Sequence, residues 1–256
     1  MILSVNNLSF KYQAHPVLEK VSFTVKRGEI LAILGPNGVG KTTLLKCINQ
    51  ILTADSGSVT VGGFPVSQMG VQEIARLISY VPQKAETSRV TVFDAVLMGR
   101  RPHMGFKFSR GDLVKTDGVI RLLDMEHIAL KHINHLSGGE LQKVSIARAL
   151  VQETGLMLLD EPTASLDLKN QAEILGLLRR VAKEHNVSMV LTMHDLNAAL
   201  RYSDKYIFLK DKMVYDSGPV SRVSQEMVEA VYGTAVEIIH HNGYPVILPG
   251  PVYQAA

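Results

Sequence analysis

Apolar and polar residues alternate at Leu3-Ser4-Val5 with Leu8-Ser9-Phe10, and again at Val21-Ser22-Phe23-Thr24-Val25. A period of two predicts half-buried strands, so the chain opens with an antiparallel β region. Further on, the pattern becomes unbroken apolar runs at Ile30–Leu34, Met157–Leu159 and Met189–Leu191. Runs of strand length without a polar face predict strands covered on both sides, hence a parallel sheet between helices. Apolar positions at 168, 172, 175, 178 and 182 make a helical stripe from Leu168 to Ala182. Between Val90 and Val151 helical sequence predominates, at Asp112–Leu123 and Glu140–Leu150, with no convincing strand. The expectation is one α/β domain: a core from residues 1–89 and 152–218, interrupted by a helical lobe at 90–151. A C-terminal extension, 219–256, carries a short helix at Gln225–Val231 and β-like pieces at Val236–Ile239 and Pro245–Leu248.

Composition narrows the class. The 256 residues are 46% hydrophobic and 20% charged, which excludes a disordered chain. With 27 basic and 24 acidic residues, the net charge of +3 gives no argument for a nucleic-acid partner. One cysteine, Cys47, leaves no disulfide scaffold and no cysteine-based zinc site, and it reads as a small core residue. No apolar run approaches the ~18 residues of a membrane span, and Met1-Ile2-Leu3-Ser4 lacks a secretory pattern. A soluble cytoplasmic protein is expected.

The chemistry begins after the first unbroken run. Gly35-Pro36-Asn37-Gly38-Val39-Gly40-Lys41-Thr42 matches G-x-x-x-x-G-K-[ST], between the strand Ile30–Leu34 and a helix predicted over Lys41–Leu52. Glycines let backbone N–H groups curl around a phosphate chain at a helix N-terminus. Lys41 is placed for the β- and γ-phosphates, and Thr42 for the hydroxyl ligand of Mg²⁺; Thr43 is counted with the loop. This predicts binding of a nucleoside triphosphate. A second apolar strand ends at Asp160-Glu161. Asp160 suits Mg²⁺, and Glu161, one residue on, suits a base for the attacking water.

Leu136-Ser137-Gly138-Gly139-Glu140 opens the next helix. Ser137 and Glu140 form an S-x-x-E capping box. Capping does not explain two glycines in a first turn, whereas bare backbone there suits a close anion. With Asp160-Glu161, this segment resembles the signature loop of ATP-binding cassette (ABC) ATPases, with Glu140 where the usual wording has glutamine. The resemblance implies a RecA-like P-loop NTPase core with an inserted helical lobe. It also implies an adenine-stacking role for Tyr12 and a Mg²⁺-sensing role for Gln83 in Tyr80-Val81-Pro82-Gln83. Ser165-Leu166-Asp167 is similar to the dimer-contact loop, and His194 to the switch histidine at the γ-phosphate. Ser137, Gly138 and Gly139 would then meet a nucleotide held by a second copy, which implies a homodimer.

Val96-Leu97-Met98-Gly99-Arg100-Arg101-Pro102-His103 resembles importers of iron–siderophore, haem and cobalamin chelates, with a few molybdate or tungstate importers sharing it. That resemblance implies two integral membrane permease subunits, a substrate-binding protein acting through them, and a place on the cytoplasmic face of the membrane. Arg100, Arg101, Lys107 and Arg110 read as a solvated basic face, or as a stretch near permease and lipid. The alternative is a non-transport ABC ATPase of DNA repair or the ribosome. Against it stand the absence of sustained heptads and the single phosphate loop. His127, His132 and His135 lack a completing carboxylate or cysteine for a metal, His240-His241 reads as an exposed pair, and nothing is drawn from Lys212.

Overall fold

The alternating N-terminal segments pair as antiparallel strands β1 (Leu3–Tyr12) and β2 (His15–Val25) in a computed structural model that describes residues 1–84, 88–164 and 166–250. What reads as two short pieces is one strand. Asn7 takes φ 48° and the pairing register slips between Val5 and Leu8, so inward alternation resumes one step late. The chain continues through β3 (Ile30–Leu34), α1 (Lys41–Ile48), β4 (Ser56–Val61), β5 (Phe64–Pro65), α2 (Val71–Leu77) and β6 (Ile78–Val81). Helices α3 (Val92–Leu97), α4 (Arg110–Leu122) and α5 (Gly138–Leu150) follow, then β7 (Leu156–Asp160), α6 (Leu168–Glu184) and β8 (Ser188–Thr192). Last come α7 (Leu196–Tyr202), β9 (Lys205–Lys210), β10 (Met213–Pro219), α8 (Gln225–Tyr232) and the hairpin β11 (Val236–His241) with β12 (Tyr244–Pro249).

The central sheet has the order β10-β9-β3-β8-β7-β6, parallel except for β10 at its edge, and the antiparallel sheet runs β2-β1-β4-β5. Every residue of β3, β7 and β8 is buried, which is why these strands read as unbroken runs. Their side chains divide by pleat. Ile30, Ala32 and Leu34 enter a core with α3 to α8, whereas Leu31 and Ile33 enter one with α1 and the antiparallel sheet. Because β3, β8 and β7 are parallel, Gly35, Thr192 and Asp160 emerge at the same sheet edge, with Asp160 directly opposite Thr192.

Three expectations need correction. The helix predicted to Leu52 stops at Ile48, because Gln50 turns left-handed at φ 57° and the amides of Ile51 and Leu52 fold back onto Lys46 O. The stripe on α6 begins later than predicted, since Leu168 is 81% exposed and Ala172 is exposed too. Arg100 belongs to no basic surface. It is buried, with Nε 2.8 Å from Asp112 Oδ1 and Nη1 donating to Val151 O at 2.8 Å and Glu153 Oε2 at 2.9 Å. Gly99 beside it is a close approach, since a Cβ there would lie 2.1 Å from Arg148 O. The Gly99-Arg100 pair therefore ties the 98–103 turn to the end of α5.

Candidate active site

The phosphate loop joins β3 to α1 with the backbone that its glycines permit. Gly40, at φ 108°, caps α1, and a Cβ on Gly35 would lie 2.4 Å from Leu209 O. Lys41 folds back over the loop, its Nζ donating to Gly35 O at 2.8 Å and Pro36 O at 3.1 Å. Burial lowers its pKa from the ordinary 10.5, against the opposing pull of Glu161 and Asp160. Val39 N donates to Pro36 O at 3.4 Å, closing the turn. A cation so placed among carbonyls suits an anion that supplies the missing charge.

Asp160, 1% exposed, lies beneath the loop. Its Oδ1 accepts from Thr42 Oγ1 at 2.9 Å and Thr192 Oγ1 at 2.8 Å, and its Oδ2 from Tyr80 Oη at 3.3 Å. Burial, followed by the Asp160 charge and hydrogen bond, raises the Tyr80 phenol well above its ordinary range. Glu161 leaves the strand in the left-handed region, φ 48°, and its amide donates to Thr192 Oγ1 at 2.9 Å. Such a backbone costs about 1–3 kcal/mol at a residue with a side chain, and the surrounding bonds hold it there. Both carboxylate oxygens of Glu161 are engaged, Oε2 by Gln83 Nε2 and Oε1 by His194 Nε2.

An open cleft of about 430 Å³ gathers Tyr12, Asn37, Gly38, Gly40, Lys41, Thr42, Thr43, Gln83, Glu161 and His194 along one wall or another. Gly38 borders free space where a Cβ would stand, and Tyr12, 47% exposed, sits at the rim with its ring edge-on to Phe10. Gly35, Pro36, Val39 and Asp160 do not line the cleft, although Lys41 bonds Gly35 and Pro36 and Thr42 bonds Asp160. The Ser137–Gly139 turn is not part of it. It lines a separate depression with Leu166, Asp167 and Asn170. Ser137 caps α5 in a full capping box, accepting from Glu140 N at 3.3 Å and donating from Oγ to Glu140 Oε2 at 2.7 Å. These bonds hold the Glu140 carboxyl below its usual range. Ser165 lies outside the described residues.

Thr192, Tyr80 and Val17, which also lines the cleft, are absent from the sequence-based candidates. Thr192 carried one faint signal, a hydroxyl closing an apolar strand two residues before His194. Tyr80 carried none, because its bond to Asp160 exists only through the pairing of β6 with β7.

Residues 18–164, more than half of the chain, match the ABC transporter family. The chain belongs to that family. An ABC transporter ATP-binding protein of Methanocaldococcus jannaschii is 49% identical over 249 residues, covering 97% of this chain and 98% of the relative. The petrobactin import ATP-binding protein YclP of Bacillus subtilis is 32% identical over 93% of this chain and 95% of its own length. Among solved structures, an inward-facing ABC transporter described as metal-chelate type superposes with TM-score 0.84 at 31% identity, over 99% of this chain and 98% of that one. A dimeric ATP-binding cassette with ADP and phosphate gives TM-score 0.77 at 27% identity, over 85% of this chain and 98% of that one. This ABC protein is thus an ATP-binding, ATP-hydrolysing cassette on a P-loop α/β core with an antiparallel N-terminal sheet, as the sequence resemblance implied. No helix among its described residues is long and apolar enough to cross a membrane.

Proposed function

We propose that this ABC ATPase drives import of a metal chelate of the iron–siderophore, haem or cobalamin kind. It works as a homodimer on the cytoplasmic face of a membrane, beneath two permease subunits that receive cargo from a substrate-binding protein. Residues 1–89 and 152–218 serve as the nucleotide core, 90–151 as the lobe facing the second copy, and 219–256 as an extension. Relatives named for iron chelatin, petrobactin and cobalamin import support the cargo class.

One observation carries the hydrolytic reading: Glu161 stands between Gln83 and His194, beside the Thr42–Asp160 contact at the phosphate loop. The loop amides of Gly38, Gly40, Lys41, Thr42 and Thr43 bind phosphates, Lys41 neutralises them, and Tyr12 stacks on the base. Thr42 Oγ1 and Asp160 are hard oxygen donors 2.9 Å apart, a set that suits Mg²⁺. Thr42 donates its hydroxyl hydrogen to Asp160 Oδ1 and would offer a lone pair to the metal, and Gln83 would offer Oε1, the end that does not touch Glu161. Mg²⁺, when bound, neutralises charge on the phosphate oxygens. Glu161 accepts the proton of the attacking water at a carboxylate oxygen, with His194 and Gln83 holding the carboxylate in place. Ser137, Gly138 and Gly139 complete the partner copy's site.

The test is ATP turnover by the purified chain, alone and in liposomes with its permease pair and loaded binding protein. Stimulation by the chelate-loaded system is expected. Turnover that responds instead to DNA or ribosomes would replace import with the non-transport reading.

A further inference from the structure

Four N–H groups open a helix without intrahelical partners, and in α5 they belong to Ser137, Gly138, Gly139 and Glu140. The capping box takes the outer two. Ser137 N donates to Glu140 Oε2 at 2.8 Å, and Glu140 N donates to Ser137 Oγ at 3.3 Å. The Ser137 hydroxyl donates to that same Glu140 oxygen, at 2.7 Å. A serine hydroxyl carries one hydrogen, so this one is used inside the turn. The Gly138 and Gly139 amides are left over. Gly138 is exposed, and nothing lies within 4 Å of the place a Cβ would take there.

Nucleotide phosphates accept hydrogen bonds and carry negative charge. The turn therefore offers them two glycine amides, no hydroxyl hydrogen, and a carboxylate close by. An atom touching Ser137 Oγ lies within two hydrogen-bond lengths, about 5–6 Å, of Glu140 Oε2. Negative charges so close repel, and salt weakens the repulsion. Lys143, the cation lining the same depression, already bonds Glu173 at 3.3 Å, and Asp167 adds a second carboxylate there.

We propose that Glu140 restrains the nucleotide-driven pairing of two copies. It withholds the Ser137 hydroxyl hydrogen from the phosphates held by the second copy and sets a negative charge beside them. Glu140 is thus a positioning residue, and the glycine amides are the donors that this turn presents. This rests on the proposed composite site, in which the Ser137–Gly139 turn of one copy meets nucleotide held by the other.

The experiment measures the dimer dissociation constant by sedimentation, with Mg²⁺ and a non-hydrolysable ATP analogue. It compares the full chain with Glu140→Gln, Ser137→Ala and the double variant. Glutamine removes the charge and can turn Nε2 toward Ser137 Oγ, which frees the hydroxyl hydrogen. Glu140→Gln should pair about three- to tenfold more tightly, with the gain shrinking between about 0.05 and 0.5 M salt. Its nucleotide-free unfolding temperature should be unchanged or lower, because a carboxylate at a helix N-terminus is stabilising. A role in capping alone moves pairing and stability down together. Ser137→Ala should change the pairing of the wild-type chain by less than about twofold, yet remove part of the gain made by Glu140→Gln. Unchanged or weaker pairing of Glu140→Gln, or an equal loss on Ser137→Ala in both backgrounds, would overturn the proposal and leave the composite site standing. If Ser137→Arg pairs as the wild type does, the composite site falls, and the proposal with it.

Discussion

At the residue scale, the two adjacent carboxylates separate by environment. Asp160 is enclosed by Thr42, Thr192 and Tyr80, whereas Glu161 turns out of the strand toward Gln83 and His194. As the proposed base, Glu161 is replaceable in size but not in chemistry. Glu161→Gln should cut turnover about 10²- to 10⁴-fold while ATP and Mg²⁺ still bind. Sizing chromatography with ATP and Mg²⁺ should then show a dimer for the variant and mostly monomer for the wild type. Asp160→Asn should instead weaken Mg²⁺-dependent binding itself. If titrations cannot tell the two variants apart, the division of labour is wrong. The motif residues could be named as candidates because phosphate binding demands fixed residue types at fixed spacing. Thr192 and Tyr80 were not, because hydroxyls that orient a carboxylate carry no spacing of their own.

At the element scale, the segment between β6 and β7 is fastened by Arg100. Its guanidinium joins Asp112 of α4, Glu153 and the carbonyl of Val151 after α5. In sequence this arginine read as one of four surface charges, since nothing local distinguishes a buried cation from a solvated one. The Arg100 and Ser109 bonds hold the Asp112 carboxyl well below its ordinary 3.8. A carboxyl depressed on folding stabilises the chain above that ordinary value, and the contribution is lost as pH falls below it. Removing one partner of a buried pair costs about 3–5 kcal/mol, so Arg100→Met should unfold at markedly lower denaturant concentration at pH 7. Below about pH 4 the gap between variant and wild type should narrow. A gap independent of pH would mean that packing, and not the charge pair, is what Arg100 contributes. The elements named from the sequence exist, but β4, β5, β6, α2, α3, α7, β9 and β10 were not named, and boundaries shifted, as left-handed Gln50 shows by ending α1 early.

At the scale of the whole molecule, the Ser137–Gly139 turn and the phosphate loop line separate depressions of one chain. A shared site for both therefore needs a second copy, and closed two-fold symmetry gives two such sites. Ser137→Arg should leave ATP affinity nearly intact and abolish turnover, because it blocks the face offered to the partner and leaves its own loop untouched. Equal loss of binding and turnover, measured on the same preparation, would remove the composite site. Under the proposed function the individual cargo would be chosen by the permease and binding protein, and not by this chain.

Unbroken apolar runs were enough to read a sheet buried on both faces, and Gly35 to Thr42 with Asp160-Glu161 were enough to raise phosphate chemistry as an expectation. These are local properties, fixed by pleat, backbone freedom and residue type. Only the packed fold placed Thr192 opposite Asp160 and buried Arg100. Each of these depends on which strands and helices become neighbours. That choice is made by long-range burial of whole faces, and it leaves no mark at the individual residue.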